Sequence, residues 1–92
     1  MSKPGAVRWQ VVIAREPKKV LARLPRDLLK RVQKAIDALA VNPRHPGCVR
    51  LTGYALWRVR VGGWRILYAI EDDRLIVLVV EIAPRGGAYR DL

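Results

Sequence analysis

Three arginines crowd the stretch "LWRVRVGGWRILY", and arginine is the side chain best suited to hold phosphate. Its guanidinium stays charged at any physiological pH, clamps phosphate oxygens two at a time and stacks on bases. Alternation makes residues 56–61 a strand, with Trp57, Val59 and Val61 on one face and Arg58 and Arg60 on the other. Gly62-Gly63 is a two-residue hairpin turn, since consecutive glycines can take the positive φ values of the primed turns. That turn sets Val61 opposite Trp64, Arg60 opposite Arg65, Val59 opposite Ile66, Arg58 opposite Leu67 and Trp57 opposite Tyr68. Directly opposed residues project to one side of a sheet, so Arg58, Arg60 and Arg65 share a face. Like charges opposed across strands are destabilising, and a polyanion is the natural counter-charge.

If the polyanion is RNA, cleavage by its own 2′-hydroxyl asks three things of a protein. The phosphate must be positioned, charge on five-coordinate phosphorus must be stabilised, and two protons must move. Arginines can do the first two. A group with a pKa above about 12 is poor at the third, which leaves Tyr89, His45 and Glu81 as candidates for proton transfer.

Composition narrows the partners. The 92 residues carry 18 Lys and Arg against 8 Asp and Glu, a formal charge of +10. Such an excess points to nucleic acid, anionic membrane or an acidic protein, and the 51% apolar content supports a real core with the charges on its surface. Cys48 is the sole cysteine, so no internal disulfide forms and a reducing cytoplasm fits. The N-terminus "MSKPGAVRW" lacks a signal-peptide apolar region, and the run 75–80 is too short to cross a bilayer. One His, one Cys and scattered carboxylates give no metal-ligand spacing; Glu71, Asp72 and Asp73 read as a solvated turn. No cofactor motif is present.

The elements that must position these residues follow from punctuation and period. Residues 9–14 alternate as a first strand. Pro17 and Pro25 each suit the first turn of a helix, predicting a short helix over 17–24 and a longer one over 25–40. In the longer helix Leu28, Val32, Ala35, Ile36 and Leu39 form the apolar stripe, with Lys30, Arg31, Lys34 and Asp37 off it. "NPRHPGCVRLTG" reads as a loop. After the hairpin, "EDDR" turns the chain into a near-continuous apolar strand over 75–83, the mark of a central strand buried on both faces. The expectation is one α+β domain spanning 1–92, with residues 1–6 flexible. It has an N-terminal strand, two helices packed on one face of a mainly antiparallel sheet, and a C-terminal three-strand meander. The arginine face lies opposite the helices or at the sheet rim.

The first strand, "VLARLPRDLLKRVQKAIDALAVNP", "RLTGYALWRVRVGGWRILYAIEDDRLIVLVVEI" and the closing "PRGGAY" together resemble the RelE/ParE toxin superfamily, and more its RelE branch. The resemblance runs from Val7 to Leu92. Its most specific positions are Leu51, Gly53, Trp57, Arg58, Arg60, Gly62, Arg65 and Tyr68. It implies a ribosome-dependent endoribonuclease that cuts messenger RNA in the decoding site without a metal, held inactive by a cognate small acidic antitoxin. Operator DNA would be reached only through that antitoxin. Carried over by position, Arg58 and Arg60 lie against the RNA backbone, Arg65 stabilises the transition state, Arg85 sits near the scissile phosphate, and Tyr89 stacks on or orients the substrate.

The chain departs from that pattern at two places. Many relatives have His immediately before the arginine that matches Arg85, where this chain has Pro84. Some use a glutamate in the loop before the central hairpin as general base, and counting back from Gly53 puts His45 near that place. Two further readings stay open: a gyrase-poisoning toxin like the ParE branch, and a degenerate module that only binds antitoxin or operator DNA.

Overall fold

Pro17 and Pro25 shape the helical part of the chain. In the computed structural model, which describes residues 8–84, α1 spans Arg15–Leu21 with Pro17 buried in its first turn, where a missing N–H costs nothing. Pro25 stands just before α2 (Arg26–Val41), and its carbonyl accepts from the Leu29 N–H at 2.8 Å. Asn42 turns extended at the other end and Pro43 stops the helix. Both helices are thus where the prolines place them. The short one starts two residues earlier and ends three residues earlier than predicted.

Strand β1 (Gln10–Ile13) precedes the helices, and β2 (Cys48–Arg50), β3 (Trp57–Val61), β4 (Trp64–Glu71) and β5 (Ile76–Pro84) follow them. The five make one sheet in the order β1-β5-β4-β3-β2. Its pairs are antiparallel except β1 with β5, which is parallel. The fold is α+β as expected, with a strand more than the sequence predicts: Cys48–Arg50 lies inside the stretch read as loop and pairs along β3. Between β4 and β5 the acidic turn closes as a short 3-10 helix over Asp72–Arg74, after which Leu75 takes φ 53.

One face of the sheet carries the core. Val32, Ile36 and Leu39 of α2 pack on Val59, Val61, Ile66, Tyr68, Val77, Val79 and Ile82, with Val20, Leu21 and Leu24 of the first helical segment at the margin. At its centre Tyr68 is fully buried and its hydroxyl donates to the Pro43 carbonyl at 2.7 Å. This ties the end of α2 to the middle strand. Burial pushes the phenol above its ordinary range, so it remains a neutral donor.

Candidate nucleic-acid interface

The β3–β4 hairpin has the register that its two-residue turn dictates, from Val61 opposite Trp64 to Trp57 opposite Tyr68. Only Gly62 has a positive φ, of 59°, so the turn has the II′ pattern and not two left-handed glycines in succession. A Cβ at Gly62 would stand 2.9 Å from Arg31 Nη2, so the Arg31 guanidinium of α2 lies over the hairpin tip.

With the helices on the Val59 and Ile66 side, Arg58, Arg60 and Arg65 project from the opposite face. They do so in two rows across the sheet. Val49, Arg58, Leu67 and Glu81 form one, and Arg60, Arg65 and Ala83 the next. The rows are not uniformly wet. Arg60 is exposed, but Arg65 keeps only 5% of its surface and Leu67 only 1%. This corrects the expectation that every charge lies on the surface. It also separates the opposed pair: Arg60 extends into solvent, where water screens it, and Arg65 is enclosed close to a carboxylate.

That carboxylate is Glu81. A bulge between Leu67 and Tyr68 sets Tyr68 opposite Val79 and Leu67 opposite Glu81, leaving Val80 as the extra residue. Val77, Val79 and Ile82 therefore face the helices, while Glu81 and Ala83 turn to the arginine face. Burial raises the Glu81 carboxyl above the ordinary carboxylate range, and the positive charge of Arg65 draws it partly back. Two buried polar atoms in this row, Arg58 Nε and Glu81 Oε2, have no hydrogen-bond partner among the described residues.

His45 sits elsewhere. It lines an open groove of about 510 Å³ between α2 and the hairpin, with Arg31, Lys34, Arg60 and Gly62. Its Nδ1 accepts the Gly47 N–H at 3.1 Å, so the lone pair that a general base would use is already engaged. The groove adds Arg31 and Lys34 to the basic surface, two residues the helical pattern marked only as lying off the apolar stripe. A further arginine stands at the far end of the hairpin. There Arg44 forks onto Asp72, with both bonds at 2.9 Å, and lies 5.6 Å from the centre of the Trp57 ring.

Structure therefore brings Arg58, Arg60 and Arg65 onto one face, adds Glu81 to it, and places His45 in the adjoining groove. Arg85 and Tyr89 lie outside the described residues. No group of three metal-ligating side chains occurs among the described residues, and no described helix is long and apolar enough to cross a membrane.

A two-helix layer over one face of a five-stranded mixed sheet, with an arginine cluster on the other, defines a small α+β domain with a basic face. Comparison with known proteins names it. The family model for the ParE toxin of type II toxin–antitoxin systems, parDE, matches residues 7–89, and the chain belongs to that family, within the RelE/ParE superfamily. It is 32% identical over 89 residues to a chain of Methanocaldococcus jannaschii assigned as toxin RelE1, covering 92% of this chain and 99% of that one. Among solved structures, the toxin of the RelE–RelB complex from Pyrococcus horikoshii aligns with a TM-score of 0.76 at 25% identity, over 88% of this chain and 99% of that one. The toxin–antitoxin complex RelBE2 from Mycobacterium tuberculosis aligns at 0.74 and 23% identity, over 87% and 94%. The protein is a toxin of RelE type.

Proposed function

We propose that this toxin is an endoribonuclease that cuts messenger RNA on the ribosome by promoting attack of the RNA's own 2′-hydroxyl, and that a small acidic antitoxin silences it. The observation that carries the reading is the convergence of Arg58, Arg60 and Arg65 on the face opposite the helices, with Arg58 Nε buried and without a hydrogen-bond partner among the described residues. A buried guanidinium N–H without an acceptor suits a phosphate oxygen brought by a ligand. Arg60 and the groove residues Arg31 and Lys34 supply the exposed charge that draws a polyanion in and holds its backbone. Arg65, enclosed and beside a carboxylate, is set to stabilise charge that develops only in the transition state, where a low-dielectric setting strengthens it. Arg85 and Tyr89 would complete the site from the tail, the first near the scissile phosphate and the second stacking on or orienting the substrate.

The antitoxin follows from the same charge. The solved structures named above are a RelE–RelB complex and the toxin–antitoxin complex RelBE2. A chain of net charge +10 suits an acidic segment that folds as it binds. Binding of this kind weakens with salt where exposed charges steer it.

A second reading is gyrase poisoning, favoured by the ParE description of the matching family. The two are separated by inducing the chain without an antitoxin, then reading primer extension across translated messages and plasmid supercoiling in the same culture. New 5′ ends within reading frames, with supercoiling unchanged, support the nuclease. Intact messages with relaxed plasmids replace it with the gyrase reading.

A further inference from the structure

Glu81 is a residue that the transition-state arginines leave unexplained. Its carboxylate shares their face and ends the row that holds Arg58, with buried Leu67 as the floor between them. The row is two inter-strand spacings long at the backbone, roughly 9–10 Å. At one end is a buried donor, Arg58 Nε, and at the other a buried acceptor, Glu81 Oε2, neither with a hydrogen-bond partner among the described residues. A ribose-phosphate unit presents the complementary pair, an acceptor on phosphate and a donor on the 2′-hydroxyl. The residue as a whole is only partly buried.

We propose that Glu81 is the general base of this toxin, taking the proton of the 2′-hydroxyl that attacks the scissile phosphorus. This rests on the nuclease reading above. In the step, the 2′-O–H bond breaks and its proton passes to the Glu81 carboxylate. The 2′-oxygen bonds to phosphorus, and the P–O5′ bond breaks, its electron pair leaving on O5′. That oxygen takes a proton from solvent or an acid of the site. The products are a 2′,3′-cyclic phosphate and a 5′-hydroxyl, with no oxidant or further reactant needed.

Two observations favour Glu81 over His45. The His45 ring already accepts the Gly47 N–H through Nδ1 and lies in the groove beyond Arg60. Glu81 instead lies on the diagonal from Arg65, two residues along β5 from Ala83, which stands opposite that arginine, and Arg65 is the charged group that acts on it among the described residues. β1 and α1, which also pack on β5, supply none. Desolvation raises the proton affinity of its carboxylate, the direction a base needs, and the charge of Arg65 draws it partly back.

The test compares wild type, Glu81→Gln and His45→Ala in single-turnover cleavage of a message held on ribosomes, across pH, with RNA binding followed separately. The expected result is a loss of about a hundredfold or more in Glu81→Gln at unchanged binding, and disappearance of the acid limb of the rate profile, while His45→Ala keeps both. Should Glu81→Gln not fold, carbon-13 NMR titration of the Glu81 carboxyl in the wild type takes its place. Coincidence with the acid limb supports the assignment and a separate titration overturns it. Glu81→Gln cutting within a few fold of wild type, with its acid limb intact, overturns it as well. A wild type that cuts no ribosome-bound message removes the nuclease reading and this inference together, an outcome distinct from failure of Glu81 alone.

Discussion

Glu81 lies on the same face of the sheet as Arg65 because Val80 is an extra residue in β5. Without that bulge Val80 would stand opposite Leu67, and Glu81 would turn among Ile66 and the core. One inserted residue thus converts a buried-charge liability into a carboxylate beside the arginine cluster.

The two opposed arginines should separate in function as they do in exposure. Arg65→Ala is expected to lose about a hundred- to a thousandfold in cleavage rate, roughly 3–4 kcal/mol, while still binding antitoxin. Arg60→Ala, removing an exposed charge of the same face, should weaken RNA binding and reduce its salt slope by about one. Rates at saturating ribosome complex and binding over a salt series distinguish them.

Tyr68→Phe should destabilise without touching the chemistry. It removes the buried 2.7 Å bond to the Pro43 carbonyl and leaves that acceptor dry, at a cost of about 1–3 kcal/mol. Urea unfolding is expected to show a lower midpoint with the slope unchanged.

The hairpin glycines are not equivalent. Gly62→Ala places a side chain at φ 59° and against Arg31, costing about 1–2 kcal/mol, whereas Gly63→Ala meets nothing within 4 Å and should change stability by about 0.5 kcal/mol or less. Unfolding midpoints of the two variants check this directly.

Acid should undo one exposed pair. The Arg44 guanidinium, by its fork onto Asp72, holds that carboxyl below its ordinary value. Folded Asp72 binds its proton more weakly than the unfolded chain does. Its contribution is therefore present above the ordinary Asp value and is lost as pH falls through the depressed one. Wild type and Arg44→Ala should differ in stability near neutrality and converge in acid. Melting temperatures from pH 7 down to pH 2 test the convergence.

Much of this was legible because it rests on short-range chemistry. The Gly62-Gly63 turn fixed the pairing of five residue couples, and the apolar stripe of α2 named the face it covers. β2 was hidden because three residues among prolines and glycines are too few to show alternation. The bulge was hidden because "LIVLVV" is apolar throughout, so its parity leaves no mark in the sequence. The burial of Arg65 is likewise a tertiary outcome: alternation tells which face a side chain takes, not how that face is covered.

The central claim meets its most direct test in a purified system. Toxin is added to ribosomes paused at a known codon of a defined message, to the same message without ribosomes, and to both after addition of its antitoxin. The RNA ends are then mapped and their chemistry determined. The account predicts one cut at the paused codon, leaving a 2′,3′-cyclic phosphate and a 5′-hydroxyl, only on the ribosome and abolished by antitoxin. An intact message on the paused ribosome, with active toxin, would contradict it.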